Sequence, residues 1–412
     1  MVAVSVWDGV VGQDAAVAEL ADAARHAAAA RPDNHAWLLL GPAGSGRSVA
    51  ALAFAAAQEC DDADAAGCGC CHSCTTTLAG THPDVRRVVP EGLSIGVDAA
   101  RDLVRAAASA PTVGRVRVLV VEDADRLTEQ AGNALLKALE EPAAHTVFVL
   151  CAPSDEDVLP TVRSRCRIVR LRVPDAAAVA QLLVREGAEP AVAAFVARAA
   201  QGHIGRARWL SADEGGRRRR AEVLKLPGRL RSPAECLAAA ADLVDASAEE
   251  ARAATAARDQ EEMAALRSAY GAGATSAPAP ARSGAPARPS RAAAKGPARS
   301  GAARPVQARG AAGAVKELET AQRRRGKRTQ LDALDRALID LAGWYRDVLV
   351  QQLGEGAELI HPDQQTHTRL LAERSAAATT LQRIEAVLAC REALGANASP
   401  LLAVEKLMLD LH

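Results

Sequence analysis

Four cysteines that lie close together in the sequence have the spacing of a metal site. The pattern C-x7-C-x2-C-x2-C is formed by Cys60, Cys68, Cys71 and Cys74. Four thiolates complete the tetrahedral coordination of Zn²⁺ and leave no position for water, so the pattern predicts a structural rather than a catalytic zinc ion. Cys70 and His72 lie in the same stretch, and either could replace one of the four ligands.

A degenerate phosphate-binding loop is indicated by the segment GPAGSGRS, from Gly41 to Ser48. It follows an apolar run and opens a helix-like segment, which is the context that the P-loop pattern GxxxxGK[ST] requires. Backbone N–H groups of such a loop hold phosphate oxygens. The loop keeps Gly41, Gly46 and Ser48, but Arg47 replaces the lysine, and a broad planar guanidinium does not substitute for a compact ammonium at a tight site. We therefore expect weak or absent nucleotide binding and no ATP hydrolysis by this chain.

A second departure from an active nucleotide site lies at the end of the apolar run at 116–121. A Walker-B strand normally presents Asp for magnesium and then Glu for the attacking water. Here Glu122 comes first and Asp123 second, so each side chain differs by one methylene from the expected one. Both motifs therefore favour a site that does not hydrolyse ATP.

The elements that must position these residues alternate between helix-like and strand-like patterns over the first 172 residues. This alternation predicts a parallel, doubly wound α/β sheet. From residue 174 to 210 only helices are expected, and a longer helical region begins near Glu222. Between about Gly271 and Gly313 the chain is rich in Ala, Pro, Gly, Ser and Arg, which predicts a disordered insertion.

Length and composition limit the function classes. The chain has 412 residues, with 50 Lys+Arg against 50 Asp+Glu, so bulk charge gives no argument for nucleic-acid binding. No apolar run approaches the ~20 residues of a membrane span, and the start of the sequence lacks a signal-peptide pattern. We expect a soluble cytoplasmic protein with reduced thiols.

Further motifs resemble the clamp-loader branch of the AAA+ ATPases. They are VVGQ at 10–13, NALLKALEEP at 133–142, SRC at 164–166 and NASPLLAVEKLMLDL at 397–411, in that family's order with the loop and the cysteines between them. The resemblance implies an AAA+ α/β core with a zinc module at 1–172. It also implies a helical lid at 173–210 and an all-α collar domain at 211–412 that the insertion interrupts.

Within that family, Arg47 and the inverted Glu122–Asp123 pair fit a non-hydrolysing, delta-prime-like branch rather than the gamma/tau motors. Ala152 falls where the motors carry the sensor-1 Thr. Gly205 occupies the sensor-2 Arg position, with Arg206 displaced by one.

The resemblance also implies that Arg165 in SRC is an arginine finger that acts in trans on ATP bound by a neighbouring subunit. Such a residue can be worth roughly 10³–10⁵ in rate in GTPases. Spacing alone cannot choose among Arg163, Arg165 and Arg167, since alternate positions on a strand would put all three on one face.

The implied partners are the gamma/tau and delta subunits in a hetero-oligomer at the nucleoid-associated replisome. That assembly loads the β sliding clamp onto primer–template DNA, and this chain would be a DNA polymerase subunit without ATPase or polymerase activity of its own. Two alternatives stay open. One is an active ATPase of gamma/tau type that tolerates Arg47. The other is a zinc-dependent DNA-binding module on a dead NTPase fold, with the basic insertion and residues 323–328 as contacts.

Overall fold

The computed structural model describes residues 5–28, 35–62, 65–90, 92, 94–270, 304–354 and 356–412. It consists of two compact units, one formed by Met1–Leu243 with Asp335–His412 and the other by Val244–Leu334. Residues 271–303 of the predicted insertion lie outside the described residues. Within the described part of the chain, no helix is both long and apolar enough to cross a membrane.

A five-stranded, all-parallel sheet forms the core of the first unit, with the strand order β2-β3-β4-β1-β5. The strands are β1 (Ala36–Leu40), β2 (Val85–Val88), β3 (Arg117–Val121), β4 (Thr146–Ala152) and β5 (Arg167–Arg170). Every residue of β1 and β4 is buried, as expected for central strands covered on both faces. The predicted α/β class is confirmed.

Helices cover both faces of this sheet. They are α1 (Asp14–Ala28), α2 (Arg47–Gln58), α3 (His72–Leu78), α4 (Val97–Ala107), α5 (Glu129–Glu140) and the short α6 (Pro160–Arg163). One face packs β-strand side chains against α1 and α2, where Trp37 meets Phe54 edge-on at 5.1 Å between ring centroids. The other face packs against α4 and α5 through Leu103 and Leu135. The sheet is therefore doubly wound.

Three helices follow the sheet and share a small core of their own. They are α7 (Ala176–Arg185), α8 (Pro190–Ala199) and α9 (Ile204–Ala212). Asp175 caps the first of them by accepting a hydrogen bond from the N–H of Ala178 at 2.6 Å. This is the all-helical segment that the sequence predicts from residue 174 onward.

The remaining described elements are also helical. They are α10 (Glu214–Lys225), α11 (Pro233–Tyr270), α12 (Arg304–Leu353), α13 (Gln365–Arg374), α14 (Ala377–Gly395) and α15 (Pro400–Leu411). Residues 304–313, which composition assigned to the disordered insertion, are instead the first turns of α12. After Pro305 this stretch contains no further proline, and Ala, Gln and Arg favour a helix.

In the second unit, α11 and α12 are joined by hydrogen bonds and ion pairs. Arg325 contacts Asp259 and Glu262, and Gln330 donates to the carbonyl of Val244 at 3.4 Å. Arg325 keeps only 13% of its side chain exposed. The charge of Arg325, in the basic run at 323–328, is therefore matched by acidic residues.

Candidate functional site

The phosphate-binding loop connects β1 to α2. Gly44 and Gly46 have φ angles of +89° and +87°, a region that residues with a Cβ rarely adopt. Gly46 begins α2 without a side-chain cap, and the first N–H groups of a helix have no partner inside it, as in anion-binding loops. The backbone therefore keeps the form of a nucleotide site.

The side chains of this loop are bonded within the chain. The Nη1 group of Arg47 donates to the carbonyl of Gly41, at the other end of the loop. The hydroxyl of Ser48 donates to Oε2 of Glu122 at 2.9 Å. The two side chains that would face phosphate and magnesium thus have internal partners.

The Walker-B carboxylates have partners of their own. Glu122 is buried, and its Oε1 accepts a hydrogen bond from Nε of Arg87 on β2. Asp123 lies in the left-handed region with φ of +49° and pairs with Arg126 at 3.8 Å. Arg87 is a site residue that the sequence analysis missed, because only the register of β2 on β3 brings it to Glu122.

The helical segment packs directly on the loop. A Cβ added to Gly44 would lie 2.6 Å from Cα of His203, and one added to Gly46 would lie 3.7 Å from Cδ1 of Ile204. His203 caps α9 and accepts a hydrogen bond from the N–H of Arg206 at 3.2 Å. Burial lowers the pKa of His203, so its imidazole is neutral at pH 7.

Gln13 forms hydrogen bonds with the phosphate loop and with the segment that follows β5. Its Nε2 donates to the carbonyls of Ser45 at 3.2 Å and of Arg172 at 2.5 Å, and its Oε1 accepts from the N–H of Arg172 at 3.0 Å. One side chain therefore links the VVGQ turn, the phosphate loop and the segment that leaves β5.

The guanidinium of Arg206 is paired with residues of the later helices. It is 5% exposed and lies 2.5 Å from Oδ2 of Asp340, whose Oδ1 contacts Arg220 at 3.0 Å. Arg220 also lies 2.5 Å from Nδ1 of His361, and burial lowers the pKa of His361 to about 3. Two buried arginines thus share one carboxylate beside a neutral histidine, and Arg206 has a structural role.

The three arginines around SRC do not share a face. Arg163 lies in α6 and donates to the carbonyl of Asp155 at 3.0 Å, whereas Arg167 lies on β5 and contacts Glu19 at 2.7 Å. Arg165 lies in the turn between them and donates through Nε to Glu140 at 2.6 Å. The alternative arrangement, with all three arginines on one strand face, does not occur because Pro160 starts a short helix at this point and only Arg167 lies on β5.

The four cysteines of the predicted zinc site come together. The Sγ atoms of Cys60, Cys68, Cys71 and Cys74 all lie within 4.8 Å of one another. Backbone N–H groups point at the sulfurs, as in Cys68 N to Cys60 Sγ at 3.3 Å. The N–H groups of Cys70 and Cys71 lower the pKa of Cys68 to about 6, against the effect of burial. Such a four-sulfur set could bind a metal ion and has the chemistry that Zn²⁺ prefers.

Neither of the two competing ligands belongs to this group. Cys70 is exposed, with its Sγ 3.7 Å from Sγ of Cys68, and His72 begins α3. Asp61 supports the cluster from outside, since its Oδ1 accepts a hydrogen bond from the hydroxyl of Ser73 at 2.8 Å.

Comparison with known proteins identifies the region that carries these sites. Residues 13–175 match the family model described as DNA polymerase III, delta subunit. The DNA polymerase III delta-prime subunit of Pseudomonas aeruginosa is 40% identical over 176 residues, which are 42% of this chain and 52% of that protein. The delta-prime subunit of Haemophilus influenzae is 42% identical over 145 residues, which are 34% of this chain and 44% of that protein. Residues 13–175 are therefore similar to delta-prime subunits of DNA polymerase III.

The delta-prime family is related to gamma/tau, and this chain matches both. The gamma/tau subunit of Mycobacterium tuberculosis is 35% identical over 181 residues, 43% of this chain and 30% of that protein. The chain spans about half the length of the curated delta-prime relatives that it matches. A crystal structure of a gamma subunit-related protein from Thermotoga maritima covers 90% of this chain and is itself covered to 99%, at 16% identity and a TM-score of 0.34.

The delta-prime match includes the phosphate loop, the cysteine cluster, Glu122, Asp123 and Arg165. The helices after residue 175, including the collar predicted at 211–412, lie beyond it. The similarity therefore concerns the α/β core that carries the candidate sites.

Proposed function

We propose that this chain is a clamp-loader subunit of DNA polymerase III that does not hydrolyse ATP and that supplies Arg165 to ATP bound by a neighbouring gamma/tau-type subunit. Together with gamma/tau and delta subunits it would load the β sliding clamp onto primer–template DNA, in the cytoplasm. The observation that carries the proposal is the contrast between a phosphate loop bonded within the chain and an arginine that lies on the surface.

Four contacts support the absence of hydrolysis. Arg47 is bonded to Gly41, and Ser48 is bonded to Glu122. Glu122 is also paired with Arg87, and His203 packs against Gly44. A nucleotide would have to displace the lid and break these bonds before its phosphates reached the loop.

Arg165 is well placed for action on another chain. It is 31% exposed and lies in a turn outside the phosphate loop of its own chain. A guanidinium at such a position can stabilise the charge on a transferring phosphoryl group from outside the subunit that binds the nucleotide.

The cysteine cluster would hold a structural Zn²⁺. Cys60 and Cys74 are buried and supply two ligands next to the helices α2 and α3, and Cys68 and Cys71 complete the set. Bound zinc would cross-link this loop to the core and would leave no open position for a substrate.

The two alternative functions are less well supported. An active ATPase of gamma/tau type would need Arg47 and Glu122 free to bind phosphate and magnesium. A DNA-binding module would need unpaired basic residues, but Arg325 is paired with Asp259 and Glu262, and Arg328 lies 3.8 Å from Asp332.

The deciding experiment measures ATP turnover by this chain alone and by its assembly with gamma/tau-type and delta subunits. We expect no turnover by the isolated chain, turnover by the assembly, and a large loss in the assembly with Arg165→Ala. The matched control is Arg163→Ala, which removes a guanidinium two residues away. Turnover by the isolated chain would contradict the proposal, as would full activity of the Arg165→Ala assembly.

A further inference from the structure

The guanidinium of Arg165 is held by groups of its own chain. Nε and Nη2 both donate to Oε1 of Glu140, and Nη1 donates to the carbonyl of Thr161 at 2.7 Å and to the hydroxyl of Ser164 at 3.2 Å. Arginine has five N–H donors, and these four bonds leave one of them without a bond to these groups. Bidentate contact with a phosphoryl group needs two donors on one edge, so Arg165 must first leave at least one of these partners.

Glu140 does not stabilise the helix in which it lies. It is the last residue of α5, and Glu141 and Pro142 follow it. Carboxylates near a helix C-terminus are unfavourable because the helix dipole is negative there. The two hydrogen bonds from Arg165 offset this effect for Glu140.

We propose that Glu140 is a positioning residue that holds Arg165 on this chain's own surface until the triphosphate on the neighbouring subunit draws the guanidinium away. The inference rests on the proposed function and deepens it, since it adds a step before the arginine acts. Glu140 and Arg165 are 47% and 31% exposed, and an exposed ion pair favours the closed state by up to about fivefold. A pair of this strength holds the arginine in the absence of nucleotide and yields to a polyanion.

The test is the steady-state ATPase of the assembly with its gamma/tau-type and delta subunits. Glu140→Gln removes the charge that holds Arg165, so we expect kcat/KM for ATP to rise by about two- to fivefold. Glu140→Asp keeps the charge and should behave like the native chain. Glu141→Gln is the matched control, since it removes the same charge one residue away at the same end of α5.

The same assay separates the inference from the proposed function. In an Arg165→Ala background, Glu140→Gln should leave kcat/KM unchanged. In the native background, the rise in kcat/KM caused by Glu140→Gln should be smaller at high salt, because salt already screens the ion pair. An unchanged or lower kcat/KM with Glu140→Gln, or a gain that persists without Arg165, would overturn the holding role alone. Unchanged turnover with Arg165→Ala by itself would instead overturn the arginine-finger function. Melting temperatures of the variants verify that each one is folded.

Discussion

The phosphate loop and the turn at Arg165 each present an arginine, but the two arginines have different surroundings. Arg47 is bonded inside a loop that is covered by α9 and flanked by a buried Glu122. Arg165 is bonded to exposed groups that solvent or a ligand can replace. The internal bonding of the phosphate loop therefore involves residues on several elements, whereas the proposed action of Arg165 on another chain needs only an accessible turn.

The largest expected effect concerns the buried cluster that fixes α9. Asp340→Ala would leave Arg206 and Arg220 buried without their shared carboxylate, and breaking such a pair costs about 3–5 kcal/mol. We expect a large drop in the denaturant concentration at which half of the first unit is unfolded. Asp335→Ala is the control on the same helix, because its partner Arg391 is 33% exposed and such a pair is worth at most about 1 kcal/mol. Equal losses in the two variants would show that the cluster does not stabilise the packing of α9.

The pH dependence of stability tests the same cluster. The pKa of His361 is about 3 in the folded protein, against roughly 6.5 when unfolded, so the unfolded chain binds more protons between these values. The contribution of His361 to the free energy of unfolding is complete above pH 6.5. It is lost as pH falls toward 3, by about 2–4 kcal/mol. His361→Gln should flatten this part of the stability curve. His367→Gln, at an exposed position, is the control. The same dependence of stability on pH in the native chain and in His361→Gln would contradict the role of His361.

A smaller loss is expected from Gly44→Ala. The substitution would impose a strained φ of +89° and place a Cβ 2.6 Å from Cα of His203, so we expect about 1–3 kcal/mol of destabilisation. Gly80→Ala has a similar φ of +73° but no heavy atom within 4 Å of the new Cβ. The difference between the melting temperatures of the two variants measures the contact between His203 and the phosphate loop. No difference would mean that His203 does not pack against the loop in solution.

The smallest effect is expected from restoring the motif lysine. Arg47→Lys leaves His203 over the loop and Glu122 bonded to Arg87, so ATP binding should change by less than about tenfold, the equivalent of 1.4 kcal/mol. Titration with a fluorescent ATP analogue measures this. Tight binding by the single variant would show that Arg47 alone closes the site, and that the surrounding contacts adapt to it.

The sequence was sufficient for the α/β core and the cysteine cluster because both depend on local pattern. Apolar strand runs and a short cysteine spacing need no knowledge of distant residues. The partners of the site residues were not predictable in this way. Arg220 and Asp340 are 120 positions apart, and Arg87 reaches Glu122 only through the pairing of β2 with β3. The alternative of a shared strand face for Arg163, Arg165 and Arg167 could not be rejected from spacing, because the sequence does not show that a helical turn precedes β5.

The local character of the cysteine cluster has a consequence for the order of folding. Its four ligands lie between residues 60 and 74, so bringing them together closes a short loop at small entropic cost. The sheet, by contrast, must pair Ala36 on β1 with Phe148 on β4 before its centre exists. Contacts of low sequence separation form faster than distant ones. During synthesis the cysteine loop can therefore close around a metal ion while β3, β4 and β5 have yet to leave the ribosome.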